Sequence, residues 1–329
     1  MSIFAIDISP PVLFFVLGMV ATLVRSNLRV PQPVSRLMSL YLLWAIGFTG
    51  GVKIAHAGLD RVALTGIGLG VLLAAVMPVV VFALLRRRVG VDNAAAIAAS
   101  YGSVSAVTFL TASSMLQSAG IDSGGHMVAV MALMESPAIV VAILLLRRAQ
   151  AGGDANAAGA GRESQRGWGH LLHESFLNGP VLLLLGSLVI GLLTRERGFA
   201  AFKPLCTDLF SGVLVFFLLD LGLVSARRLR NVFGRGLFLP AFGLLLPPIA
   251  AGVALVLARL CGLPLGDATL LAVLASSASY IAVPAAARIA IPKADPSMYI
   301  GLALAVTFPF NVVVGIPLYL RAAQAMWAA

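Results

Sequence analysis

Apolar residues in this chain come in long uninterrupted runs, not in the short stripes or alternations of a water-soluble fold. Charged and turn-forming residues gather between the runs. Read between those breaks, the pattern predicts ten helical spans, over residues 11–25, 36–55, 62–85, 92–118, 126–146, 178–194, 207–225, 236–260, 267–290 and 298–322. A helix needs about 20 mostly apolar residues to cross a hydrocarbon core. The first run, PPVLFFVLGMVATLV before Arg25, falls short of that.

Two runs carry polar and helix-unsettling residues where a spanning helix should be most apolar: DNAAAIAASYGSVSAVTFLTASSML in span 4 and GDATLLAVLASSASYIAVPAAARIAI in span 9. Both are expected to be broken helices that cross one another at mid-membrane. A break leaves N–H groups unpaired at the start of the second half-helix and carbonyls unpaired at the end of the first. Neither set can face lipid. The N–H ends suit a small anion, and the carbonyl ends and hydroxyls suit a hard cation.

The two halves of the chain echo each other. Spans 1 and 6 open PVLFFVLGMV and PVLLLLGSLV, spans 3 and 8 contain VMPVVVFALL and LLPPIAAGVALVLA, and spans 5 and 10 carry Pro137 and Pro309. With five spans in each half, the second copy must be inverted in the membrane, a pattern typical of secondary transporters. The expected organisation is a first repeat over 1–146, a linker over 147–174 and a second repeat over 175–329.

Composition agrees with this class. The chain of 329 residues is 60% hydrophobic and 11% charged, with a mean hydropathy of +1.00, far from the quarter of charged residues usual in soluble domains. It is expected to be an all-α polytopic membrane protein. The net charge of +10 is explained by topology and needs no nucleic-acid partner. Sixteen of the 23 Lys and Arg residues fall in the odd-numbered connections or at the span ends that flank them, which the positive-inside rule places in the cytoplasm with both termini outside. The stretch from Arg147 to Glu174 is Gly/Ala-rich and charged and reads as a cytoplasmic linker. The N-terminus lacks the basic region of a cleaved signal peptide, so its apolar run is expected to persist. Cys206 and Cys261 lie in or beside apolar runs and read as packing residues.

Two acids sit at membrane depth, Glu135 in ALMESPAIV and Asp220 in FFLLDLGLV. Intramembrane carboxylates are expensive and usually functional. Glu135 is a candidate to neutralise a coupling cation or carry a proton; Asp220, nearer a span end, reads as a structural hydrogen-bond or ion-pair group. In span 10, Asn311 reads equally as a cation ligand or as a tie between helices. His56, His126, His170 and His173 are expected to be solvated, and so are Asp92 and Asp267, which read as N-terminal helix caps. No nucleophile, metal-ligand or nucleotide motif occurs, so an enzyme is not expected.

At these residues the chain resembles the sodium-dependent bicarbonate permease family over nearly its whole length. The resemblance rests on YGSVSAVTF in span 4, MESPAIV in span 5, HESFLNGPVLLLLGSLVIGLLT in span 6, and AVLASSASYIAVPAAARIAIPKADPSMYIGLALAVTFPFNVVVGIPLYL across spans 9 and 10. It implies a trimer in the inner membrane, an elevator-like cycle, and sodium-coupled import of bicarbonate with no cofactor beyond sodium as coupling ion. It also implies a PII-like signalling protein as a partner on the cytoplasmic face. Carried over by position, the anion site draws on Gly102, Ser103, Val104 and Ser105 and on Ser276, Ser277, Ala278, Ser279 and Tyr280. The sodium candidates are Ser105, Thr108, Glu135 and Asn311. The chain departs from the bicarbonate-importing pattern at Tyr280, where those members have an aspartate, at Val283, where they have a glycine, and at Glu135, where their acid is shorter. A symporter of another small anion, such as a short carboxylate, and a non-transporting scaffold or sensor are the alternative readings.

Overall fold

The computed structural model describes residues 10–58, 60–151, 179–234 and 236–328. Most of the expected linker lies outside the described residues, together with His170 and His173. Among the described residues the helices run in order: α1 Pro10–Leu23, α2 Gln32–Ala57, α3 Arg61–Val89, α4 Val91–Gly102, α5 Ala106–Ser118, α6 His126–Ala151, α7 Gly179–Lys203, joined by a π-turn at Pro204–Asp208 to α8 Leu209–Phe233, α9 Phe238–Leu260, α10 Leu265–Ser276 and α11 Ala282–Ala290, then α12, Pro296–Ala328. The last is one helical run widened by π-turns at Ala303–Thr307 and Asn311–Gly315. No strand occurs among the described residues.

Seven stretches of the described residues are helical, long and apolar enough to cross a membrane; one of them, Gly179–Leu229, runs through α7 and most of α8. Inside it, Arg195 adopts a left-handed φ of 52° and kinks α7, at the point where the sequence pattern ends span 6. The described part of α1 has 14 residues, about 21 Å at 1.5 Å per residue. The outer faces are apolar: α9 exposes Leu245, Ile249, Val253 and Val256, a stripe at helical spacing that suits lipid and not water.

Two helix pairs pack backbone to backbone, α1 against α8 and α2 against α7. A Cβ on Gly222 of α8 would lie 2.1 Å from the Phe15 carbonyl oxygen of α1, and one on Gly47 of α2 would lie 2.5 Å from the Leu184 carbonyl of α7. Only glycine permits such an approach. Helices α3, α4 and α6 pack on one another, and α9 and α12 both pack on α10.

Helices α4 and α10 each have 12 residues and each end at a serine in extended conformation, Ser103 and Ser277, whose N–H bonds back into the helix. The chain then restarts as α5 and α11. Both spans with polar centres are therefore broken helices, as expected from their sequences.

Three expectations at the span ends are corrected. Asp92 and Asp267 do not cap their helices: the N-cap positions are Gly90 and Pro264, and both acids lie within the first turn. Nor is Asp267 solvated. It is buried, accepts the Gly124 N–H at 2.6 Å, and has Oδ2 3.3 Å from His126 Nε2. His126 is buried with it. The cause is the α5–α6 connection, which folds so closely over the start of α10 that a Cβ on Gly266 would meet the Asp122 carbonyl at 2.0 Å. His56, by contrast, is exposed and paired with Glu196 at 2.6 Å.

Candidate functional site

The two breaks meet and are hydrogen-bonded to each other. Ser279 N–H donates to the Ser100 carbonyl at 2.8 Å, the Ser100 hydroxyl donates to the Ser279 carbonyl at 2.5 Å, and Ser105 N–H donates to Ser277 Oγ at 2.9 Å. Each break thus satisfies part of the backbone that the other leaves open, as an apolar interior requires. Ser100 is a partner that sequence reasoning missed. It lies inside regular helix and has no local signal to separate it from a packing serine.

The second half-helices begin beside this junction. Ser105 caps α5, its Oγ accepting the Thr108 N–H at 3.2 Å, and Ser279 Oγ accepts the Val283 N–H of α11 at 3.4 Å. A cavity of about 270 Å³ opens there. Its walls include Val104, Ser105, Ala106 and Val107 at the start of α5, and Ser279, Tyr280, Ile281 and Ala282 at the start of α11. Glu135 of α6 also lines it, with Ser39 of α2, Pro180 and Leu184 of α7, and Phe217 of α8 closing the far side. These last residues carry no polar break or buried charge in the sequence, and only the fold reveals them.

Among the described residues, no lysine or arginine lines this cavity. Its positive potential comes from two helix N-termini aimed into one space, an arrangement that favours an anion. Glu135 makes no hydrogen bond or ion pair among the described residues, so an anion and this carboxylate can share the cavity only if a cation or proton joins them.

The remaining candidates divide by position. Gly102, Ser103, Ser276, Ser277 and Ala278 form the junction without lining the cavity. Gly102 has a steric role, since a Cβ there would lie 2.3 Å from Pro78 Cγ. Ser276 donates its hydroxyl to the Val273 carbonyl at 3.0 Å, and Ser277 donates to Leu274 at 2.8 Å. The hydroxyls of Ser103 and Thr108 are buried without hydrogen-bond partners, which leaves both free to bind a cation. Tyr280 is edge-to-face with Phe308, ring centroids 5.4 Å apart. Its hydroxyl is buried without a hydrogen-bond partner.

Asn311 lies away from the cavity, fully buried. Its amide donates to the Ser276 carbonyl at 2.8 Å, and its oxygen accepts the Tyr319 hydroxyl at 2.9 Å. The first of these bonds links α12 to the end of α10, and the second lies within α12. A second buried chain links Tyr101 Oη to Thr307 Oγ1 at 2.5 Å and Thr307 onward to the Gly243 carbonyl at 2.8 Å, fixing α4 to α12 and α9. Asp220 is buried in α8, outside the cavity lining.

Long apolar helices around a charge-poor cavity, where two interrupted helices join, define a polytopic membrane protein. The chain belongs to the Na+-dependent bicarbonate transporter superfamily, whose sequence pattern it matches over residues 10–324. No curated protein matches it.

Proposed function

We propose that the protein is a sodium-coupled symporter that imports bicarbonate, with the anion held between the two helix breaks and the cation beside Glu135. The observation that carries this reading is the junction itself: two broken helices hydrogen-bonded to one another, their second halves opening on one cavity with an otherwise unpaired carboxylate. Family membership supplies the cargo and the coupling ion. Ser105 and Tyr280 offer hydroxyls to the anion. Thr108 and Glu135 are the side chains best suited to the sodium, with Ser105 shared between the two.

The chain is read as ten spans in two inverted five-span repeats, 1–146 and 175–329, with the linker in the cytoplasm, both termini outside and the whole in the inner membrane. The paired contacts support the repeat. Phe15 against Gly222 joins span 1 to span 7, and Leu184 against Gly47 joins span 6 to span 2, which is the exchange a two-fold relation between the halves demands. An elevator-like cycle is supported by the cavity walls: α2, α7 and α8 form one side, and the broken helices with α6 form the other. Sliding one group past the other would expose the site to each surface in turn. A trimer and a PII-like partner rest on the family resemblance alone.

Uptake of labelled bicarbonate into proteoliposomes, with and without an inward sodium gradient, tests the reading. Accumulation that requires both protein and gradient is expected; uptake indifferent to sodium would overturn it.

A further inference from the structure

The cavity is larger and more apolar than bicarbonate needs. A water's share of liquid volume is about 30 Å³, so an anion of bicarbonate's size needs on the order of 60 Å³; the space here is about 270 Å³. Polar groups also line only part of it. Ser105, Ser279, Tyr280 and Glu135 line the side of the broken helices and α6, with Ser39 as a single hydroxyl on the far side, whereas Leu43, Leu110, Met131, Ile139, Leu184 and Phe217 form apolar wall. An all-polar anion would leave that wall against water or empty space. A site with polar groups gathered in one region and a broad apolar lining is built for a ligand with the same division.

Resting on the transport-site reading above, we infer that the preferred cargo of this cavity is a monocarboxylate with a short hydrocarbon tail. Its carboxylate lies at the starts of α5 and α11 and its tail lies on the apolar wall. Tyr280 is the second, independent sign of a ligand. Only 8% of its surface is exposed, it lines the cavity, and its hydroxyl lacks a hydrogen-bond partner, so a carboxylate oxygen is the acceptor it lacks. The ring also packs on Phe308, adding an apolar edge next to that hydroxyl. Carboxylate and bicarbonate share the same planar oxygen pair, so both enter the site; only the carboxylate fills the rest.

The test is a chain-length series. Full-length protein in detergent is melted with the sodium salts of formate, acetate, propionate, butyrate and valerate, and with bicarbonate, at one sodium concentration and one pH. The concentration giving half the maximal stabilisation should fall by roughly fourfold per added methylene, the worth of a buried CH₂, and level off once the tail fills the cavity. Bicarbonate should be the weaker ligand beside butyrate. Ala132 of α6 also lines the cavity, and Ala132→Val, which adds two methyl groups there, should erase the gain from propionate upward; Phe217→Leu, which removes a ring from the lining, should move the plateau to a longer acid. A flat series, or bicarbonate acting below the concentrations of all five acids, would overturn the inference. So would recovery of a bound lipid acyl chain that the acids fail to displace.

The same samples separate this inference from the reading beneath it. Sodium-driven bicarbonate uptake with a flat series removes the carboxylate preference and leaves the symporter. A graded series that persists when sodium is replaced by choline keeps the carboxylate preference and removes sodium coupling.

Discussion

Ser105 of one broken helix donates its backbone N–H to the hydroxyl of Ser277 in the other, at 2.9 Å. The same hydroxyl donates onward to the Leu274 carbonyl at 2.8 Å. One side chain therefore satisfies a loose donor at the head of α5 and adds a second bond to a carbonyl near the end of α10 that also accepts the Ser277 N–H at 3.1 Å. Neither helix could end where it does inside an apolar protein without such a partner.

Ser277→Ala should therefore destabilise the protein even though it removes little volume. It strands the buried Ser105 N–H, worth about 1–3 kcal/mol when left unpaired, while the Leu274 carbonyl keeps the Ser277 N–H at 3.1 Å. A clearly lowered melting temperature in detergent is expected, with loss of uptake. Ser277→Thr keeps the hydroxyl and should recover most of both. An unchanged melting curve for Ser277→Ala would mean that the two breaks do not depend on each other.

The helix pairing makes a prediction of opposite signs within one helix. Gly222→Ala places a methyl 2.1 Å from the Phe15 carbonyl oxygen, forcing α1 and α8 apart at a cost of about 1–3 kcal/mol. Gly212→Ala, in the same helix with open space around the new methyl, should stabilise by about 0.4–1 kcal/mol through the unfolded chain. Thermal melts of the two variants should move in opposite directions. Equal shifts would place the α1–α8 contact elsewhere.

The membrane class and both helix breaks were legible in the sequence because three serines among four residues, Ser276-Ser277-Ala278-Ser279, inside an apolar run have few physical explanations. Which break residue bonds to which was not legible. The Ser105–Ser277 and Ser100–Ser279 pairs are distant in sequence, and every one of these serines looks alike from its neighbours. Asp267 was misread for a related reason: an acid at the head of a helix usually caps it, but here the Gly124 N–H reaches it from another connection first. The apolar half of the cavity was also hidden, since Leu43, Leu184 and Phe217 look like lipid-facing residues until the fold turns them inward.

Asn311 separates a structural tie from a cation ligand. Asn311→Ala leaves the Ser276 carbonyl and the Tyr319 hydroxyl unpaired in the core. A tie predicts a lower melting temperature, by the equivalent of about 1–3 kcal/mol, with the half-saturating sodium concentration of the surviving activity unchanged. Tyr319→Phe removes the smaller half of the network and should give a milder form of the same result. A sodium requirement raised tenfold or more in either variant would instead place Asn311 at the cation.

Glu135→Gln tests the cation site with the least disturbance of shape. The native carboxylate lines the cavity and has no hydrogen-bonding or charged partner among the described residues, so its burial as an anion costs the folded protein something that only a bound cation returns. Removing the charge should leave the ligand-free melting temperature unchanged or slightly raised. The extra stability that sodium gives the native protein, which follows from linkage between binding and folding, should vanish in the variant, and sodium-driven uptake should fall at least tenfold. The combination matters, because a misfolded variant would lose uptake and stability together, whereas an emptied cation site loses uptake and the sodium response alone. A variant that keeps the native sodium response would move the coupling ion away from Glu135, leaving the unpaired hydroxyls of Ser103 and Thr108 as the place to look next.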